Sequence, residues 1–352
     1  MEFLILNEAL EALAVLDQFK SAIWTRRYFS AGDFEIYAPA TESLLELLKH
    51  GRIIARTDKP EQAGIIESLR ITTSAEEGNY IIASGRLLQG MLARRIVWKQ
   101  ATFTGSPENV MRRIVTQAAI NPEEAGRAIP GLELAPAINE AGLMKIQFTG
   151  DNIAQAIEGI CRTYGLGYSV DLDRENGRFL FRIYKGADRS YNQNTNPFVV
   201  FSNDFENLLS TEYTNDTTEA ANVAQVAGEG EGTARRKIIV GGGEGLARKE
   251  TFINASQLST NDGEFTADVY GNVLAQKGAE ALAELKPVEA MESEVAHNYG
   301  FILDRDYFLG DIVEIIDEYG HALTPRVVEI IESQDETGYT CIPTFSTNDN
   351  EA

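Results

Sequence analysis

The chain has 352 residues, 43% hydrophobic and 24% charged, with 30 glycines and ten prolines. That is an ordinary globular balance, long enough for two or three domains, and it excludes a collagen-like or low-complexity chain. Asp and Glu total 53 against 31 Lys and Arg, a net charge of −22, which argues against a nucleic-acid binder and against docking on anionic lipid.

No targeting segment is expected at the start. Met1-Glu2-Phe3-Leu4-Ile5-Leu6 has no basic region and a four-residue apolar run. No stretch approaches the roughly 20 apolar residues of a membrane helix. The first hundred residues read mostly as strands. Residues 19–28 hold Ile23-Trp24, and Asp33-Phe34-Glu35-Ile36-Tyr37 alternates with period two until Pro39. Thr41 is placed to cap a helix over 42–50, with Gly51 at its C′ position. Strands are expected at 52–56, 65–72 and 79–84. This local, antiparallel pattern favours a barrel or sandwich over a doubly wound sheet.

From 101 to 185 the pattern changes. Ser106-Pro107-Glu108 is a helix start, followed by Val110, Ile114 and Ala118 at helical spacing and ended by Asn121-Pro122. A strand over 144–148 precedes a helix opened by Asp151, with Ile153, Ile157, Ile160, Cys161 and Tyr164 as its stripe and Gly165 as its stop. Strands 167–172 and 178–184 form a hairpin. Cys161 on this helix and Cys341 in a predicted strand read as buried thiols rather than a disulfide.

Beyond a polar stretch over 191–197, strands are expected at 198–201, 208–213, 222–227 and 237–240. Two glycine loops, 228–232 and 241–245, follow the last two. A helix over 268–286 contains Gly278, which costs about 1 kcal/mol against Ala. Strands then follow at 289–296, 312–316, 326–333 and 338–343, and residues 346–352 are expected to fray.

Candidate chemistry is sparse. Neither glycine loop is followed by Gly-Lys-Ser/Thr, and Glu229, Glu231 and Glu244 would repel a phosphate. Both read as mobile hairpin loops, and 228–232 is expected to be ordered mainly in an assembly. Asp171-Leu172-Asp173-Arg174-Glu175 begins like a calcium loop. It has Asn176 at the sixth position and Arg182 at the twelfth, and so reads as a hairpin turn. Asp304, Asp306 and Asp311 are expected to shape turns. His50, His297 and His321 have no ligand spacing, and no Gly-x-Ser-x-Gly elbow is present. No catalytic, cofactor-binding or metal-binding residue is expected. An exposed aromatic platform would favour a saccharide binder, but Trp24 and Trp98 both fall in apparent strands and are expected in the core.

Several stretches taken in order carry a resemblance. They are Ile23-Trp24-Thr25-Arg26-Arg27-Tyr28 with Gly32-Asp33-Phe34-Glu35 and Ala38-Pro39, then Ser84-Gly85-Arg86-Leu87-Leu88 with Leu92-Ala93-Arg94-Arg95. Lys185-Gly186-Ala187-Asp188-Arg189-Ser190 follows, then Val200-Phe201-Ser202 with Asn207-Leu208. Asn222-Val223-Ala224 with Val226-Ala227-Gly228-Glu229-Gly230, Asp304-Arg305-Asp306-Tyr307 and Leu309-Gly310-Asp311 complete the series. Together they resemble the siphovirus gene-product-thirty-seven-like family of phage and prophage tail proteins, from about 19 to 333.

The resemblance implies an α+β, mostly β fold with two small tail-hub β-barrels. The first would span 1–100 and be completed by 186–245, with an α/β insertion at 101–185. The second would span 246–352 with its helix at about 268–286, and no fibre or lytic domain is expected after it. It further implies a homotrimeric baseplate hub at the virion tail tip, assembled in the host cytoplasm, without enzyme activity or cofactors. Implied neighbours are the tail-tube or distal tail ring, the tape-measure protein, and tail-tip fibre or spike proteins. DNA would pass through the lumen without specific binding, and no membrane insertion is implied. A trimer would carry three times −22, or −66 charges, and an acidic lumen would repel passing phosphate. A cell-wall hydrolase and a saccharide- or receptor-binding module are the alternatives.

Overall fold

Period-two burial organises the first half. Ser21–Arg27 buries Ala22 and Trp24, and Asp33–Pro39 buries Phe34, Ile36 and Ala38. The two strands pair antiparallel with Trp24 opposite Phe34, and Gly78–Arg86 and Ser68–Ser74 continue the sheet. On its other side Ser21–Arg27 pairs with Arg326–Asp335, from the far end of the chain. Gly338–Ser346, Val288–Val295 and Leu208–Asp216 follow. One eight-stranded sheet therefore runs through both halves. The computed structural model describes residues 1–74, 78–260, 266–295, 300–316, 318 and 322–347. Among these the fold is mostly β, as expected, and its six sheets are each open in their hydrogen-bonded order.

A second sheet packs on the N-terminal strands. Phe3–Leu6 lies between Ala12–Leu16 and Ile53–Arg56, with Ala63–Ile65 beyond. Phe3, Ile5 and Ile54 meet Trp24, Phe34 and Ile36 in one core, and Trp24 Nε1 donates to Gln62 Oε1 at 3.1 Å. The apolar run at the start is thus a buried central strand. Helix α1, Glu42–Leu47, has the predicted cap: Thr41 Oγ1 accepts from Leu44 N at 3.2 Å. It stops three residues short of the expected end, because Leu48 turns extended and is buried.

The segment expected as an insertion contains α2, Pro107–Val115, and α3, Ile153–Tyr164. Ser106 caps α2 as predicted. Asn152 caps α3 in place of Asp151, whose carboxylate accepts from Thr149 N. Gly165 ends α3 at φ +63°. The stripe Ile153, Ile157, Ile160 and Cys161 is fully buried. Around the helices lie the pair Ala101–Gly105 and Met144–Phe148 and the predicted hairpin Gly167–Asp173 with Arg178–Tyr184. Their core also takes in Leu6, Tyr28, Phe29 and Ile53, so this unit shares the core of the N-terminal half.

The strands of the span 186–245 divide among three sheets, one of them the eight-stranded sheet. Leu208–Asp216 pairs with Val288–Val295, with Asp216 opposite Val288. The residues between these partners leave and return at one point of the sheet edge. They form a separate layer: Val223–Ala227 between Lys237–Gly241 and Glu250–Asn254, under helix α4, Ala267–Glu284. Gly278 has a packing reason. A Cβ there would lie 2.7 Å from Val240 Cγ2 and 2.8 Å from Val226 Cγ2, so its absence lets helix and sheet touch. Ser346, expected to be frayed, is 1% exposed and pairs with Ala290 and Arg326; the end from 348 on lies outside the described residues. Both cysteines are buried free thiols, and burial pushes the Cys341 thiol up to about 12. No helix among the described residues is long and apolar enough to cross a membrane.

Candidate functional site

The residues with the most constrained surroundings lie where the two halves meet. Glu332, opposite Trp24, has no exposure. Its carboxylate is 3.1 Å from Arg56 Nη1, 3.0 Å from Lys59 Nζ and 3.4 Å from Arg26 Nε, and Tyr339 Oη donates to it at 2.8 Å. Arg56, itself 2% exposed, forks onto Asp58 at 2.8 and 2.6 Å. Arg26 forks onto Asp304 at 3.1 Å through each Nη, and Lys59 reaches the same carboxylate at 2.8 Å. Three cations thus face three carboxylates. Burial opposes the charge on Glu332, but Arg26, Arg56 and Lys59 outweigh it and hold the carboxyl below its usual range. Asp304 is lowered against burial in the same way by Arg26 and Lys59. A general acid needs the opposite shift, and the contacts themselves join Arg326–Asp335 to Ser21–Arg27, Ile53–Arg56 and Asp304.

Beside it, Tyr28 ties three segments. Its Oη donates to Gly165 O at 3.1 Å and accepts from Gly186 N at 3.2 Å, and the Arg326 guanidinium lies 5.3 Å from its ring. A Cβ on Gly310, at φ +95°, would lie 2.2 Å from Tyr28 Cε2, and one on Gly186 would lie 1.8 Å from Gly310 O. Asp311 accepts from Ala187 N at 2.7 Å, Arg189 Nε at 2.6 Å and Phe308 N at 3.0 Å. The stretches at 23–28, 185–190 and 309–311, far apart in sequence, therefore meet at one joint. Gly85 and Gly32 mark two further close approaches, where a Cβ would lie 1.9 Å from Ile65 O and 2.1 Å from Thr25 O. Arg27 bridges Asp33 at 2.5 Å and Glu329 at 2.6 Å. A cavity of about 460 Å³ opens at this joint. The cations on its walls are held by carboxylates: Arg182 by Asp171, Lys185 by Glu140 and Arg189 by Asp311. It offers an anion little free charge.

The other sequence candidates resolve individually. Asp173 accepts from Asn176 N in the hairpin turn, and Asp306 accepts from Ile302 N, both shaping turns as predicted. Asp304 departs from that reading, since its side chain serves the ion network. His50 is exposed beyond α1, and His297 and His321 lie outside the described residues. No group of three or more His, Cys, Asp or Glu is placed to hold a metal among the described residues.

Two expectations are corrected. The 228–232 loop is held within the single chain: Gly228 N donates to Arg236 O, Glu229 N to Tyr270 Oη and Arg235 Nε to Gly228 O. Tyr270 Oη itself donates to Leu258 O at 2.8 Å. The anchor sits on α4, far along the chain, and no local pattern reveals it. Trp98 lies outside any strand and is 56% exposed, with the Arg127 guanidinium 4.9 Å from its ring centroid. Its neighbours Val97 and Ala101 turn inward and leave the indole at the rim.

The profile of the Siphovirus ReqiPepy6 Gp37-like protein family matches residues 2–345. No curated protein matches the sequence at a significant level. Among solved structures, the chain is similar to a tail protein from Neisseria meningitidis MC58, with 17% identity, 98% of this chain and 95% of that one covered and a TM-score of 0.58. It is also similar to the 43 kDa tail protein of prophage MuSo2 from Shewanella oneidensis, with 13% identity, both chains covered in full and a TM-score of 0.60. Prophage tail protein gp18 from Listeria monocytogenes EGD-e gives 14% identity, coverage of 100% and 96%, and a TM-score of 0.57. At these identities the likeness is one of fold.

Proposed function

The chain belongs to the Siphovirus ReqiPepy6 Gp37-like family of phage tail proteins, and on that premise we propose that it is a non-enzymatic structural hub at the tail tip. Three copies form a ring that closes or continues the tail tube. Its neighbours are the tube or distal tail ring, the tape-measure protein, and fibre or spike proteins. The two ring-forming units of each copy are the N-terminal pair of sheets and the C-terminal half of the eight-stranded sheet. The unit at 101–185 and the α4 layer lie on the outside.

One observation carries this reading. The eight-stranded sheet runs through both halves, is locked by the buried Glu332 network, and ends in edge strands Ser68–Ser74 and Leu208–Asp216 with no further strand beside them among the described residues. Unpaired edges invite strand pairing and are normally covered; a closed ring of copies covers them through a repeating head-to-tail contact. The net charge of −22 per copy suits a lumen through which DNA slides without binding. Cryo-microscopy of the tail tip and mass photometry of the free chain test the reading. Threefold symmetry is expected, with each contact burying more than roughly 1,600 Å². A monomer or a hexamer in the assembled particle overturns it.

A further inference from the structure

We propose that the cleft beside Trp98 is a binding site for a neutral saccharide. This goes beyond the hub reading and does not depend on it. The cleft has a volume of about 410 Å³, within the range of small-ligand sites. Its floor is apolar: Phe103, Ile114 and Ala118, all buried. Its rim carries the Gln117 and Asn121 amides and the Glu124 carboxylate, none of which makes a side-chain hydrogen bond or ion pair to the described residues. Trp98 stands at the same rim with more than half its surface exposed.

The chemistry narrows the ligand. Lys99 bonds both carboxylate oxygens of Glu123, at 2.8 and 2.6 Å. Arg127 and Glu124 then leave the cleft charge-balanced, on a chain of net charge −22. An anion gains nothing there and is repelled at long range. A cationic ligand seeking the indole meets the Arg127 guanidinium already against the ring. What remains is a neutral molecule with a C–H face for the aromatic ring and several hydroxyls for amides and carboxylate, which describes a sugar. The platform is also pre-oriented. Arg127 donates to Ile96 O at 2.7 Å while lying over the indole, so the ring is held rather than free to turn.

The protein has two tryptophans, and Trp24 is fully buried, so ligand-induced change in tryptophan emission reports Trp98. The probe is the tetramer of β-1,4-linked N-acetylglucosamine, with cellotetraose and maltotetraose alongside. A saturable shift with at least one of them at about 1 mM or below is expected. Trp98→Ala should weaken binding at least about tenfold, Trp98→Phe should retain most of it, and Gln117→Ala should weaken it about threefold to tenfold. Binding by the two Trp98 variants, which lack the reporting indole, is read by calorimetry. The thermal midpoint of the Ala variant should match the wild type, because the side chain is largely exposed. No saturable signal from any of the three sugars at about 10 mM overturns the proposal. So does binding that Trp98→Ala leaves intact, and so does capture of a tail protein through Trp98 with no response to sugar.

Discussion

Replacing Glu280 with Gln should stabilise the protein at pH 8 and change little near pH 4. Glu280 lies on α4, 6% exposed, where that helix faces α3. Its Oε1 accepts from Gln276 Nε2 at 3.2 Å, and Lys277 Nζ lies 4.0 Å from Oε2. Tyr164 of α3 donates to Gln276 Oε1 at 3.5 Å, and Asp151, Glu158 and Glu284 line the same cleft of about 480 Å³. Burial is the largest influence and pushes the carboxyl up to about 7 from its ordinary 4.5, against the pull of Lys277 and Gln276. A raised acid holds its proton longer in the folded state than in the unfolded one. Stability is therefore full below about pH 4.5 and is lost as pH rises to about 7. The interval from 4.5 to about 7 corresponds to about 3 kcal/mol. Glutamine keeps the acceptor for Gln276, and the attraction of Lys277 is already contained in that net shift. The gain at pH 8 is therefore about 3 kcal/mol, a rise of roughly 4 °C in thermal midpoint. Circular-dichroism melts of both proteins from pH 4 to 9 measure it. The two midpoint curves should converge toward pH 4 and separate above pH 6. A constant offset at every pH, or a destabilised variant at pH 8, would refute the argument.

Other consequences are equally direct. Gly278→Leu should cost more than about 3 kcal/mol in denaturant titrations, because even a Cβ meets Val226 and Val240, and this outweighs the roughly 1 kcal/mol gained in helix propensity. Arg56→Met should cost about 3–5 kcal/mol by leaving the buried Glu332 short of a cation, whereas Lys49→Ala, which removes the exposed pair with Glu46, should cost less than about 0.5. Glu332 and Asp304 are held below the usual range, so the stability they contribute is complete above about pH 4 and is lost as pH falls further; acid unfolding should begin there, and Glu332→Gln should flatten that limb. Tyr270→Phe should speed amide exchange at Glu229 at least about tenfold by removing its acceptor, with exchange in the Trp24 strand unchanged.

Elements whose signals are local were legible. The Ser106 and Thr41 caps, the α3 stripe with its Gly165 stop and the hairpin about Asp173 all follow from neighbours within a few residues. Elements defined across the chain were not. Nothing near Leu208 indicates that its strand pairs with Val288–Val295 across a whole helical layer, since pairing register depends on partners brought together by folding. The Trp98 exposure is a similar case. An indole beside Val97 and Ile96 reads as a strand interior until the chain leaves extended geometry there, and no glycine or proline marks that point. The Glu332 network hid behind abundance: with 53 acidic residues, none stands out until three cations converge on one of them.

The stretches that carry the family resemblance explain why it reveals a fold sooner than a chemistry. Gly186 and Gly310 are needed because their backbones pass with no room for a Cβ, and Gly310 also packs against the Tyr28 ring. Asp311 is needed because it gathers Ala187, Arg189 and Phe308 across two crossing segments. Apolar core positions can exchange among similar side chains at modest cost, but a joint with a 1.8 Å approach tolerates no side chain at all. The solved structures of similar fold share only 13–17% identity with the chain. The positions of the joint specify how the chain crosses itself and leave the exposed rims, Trp98 among them, free to take on binding roles of their own.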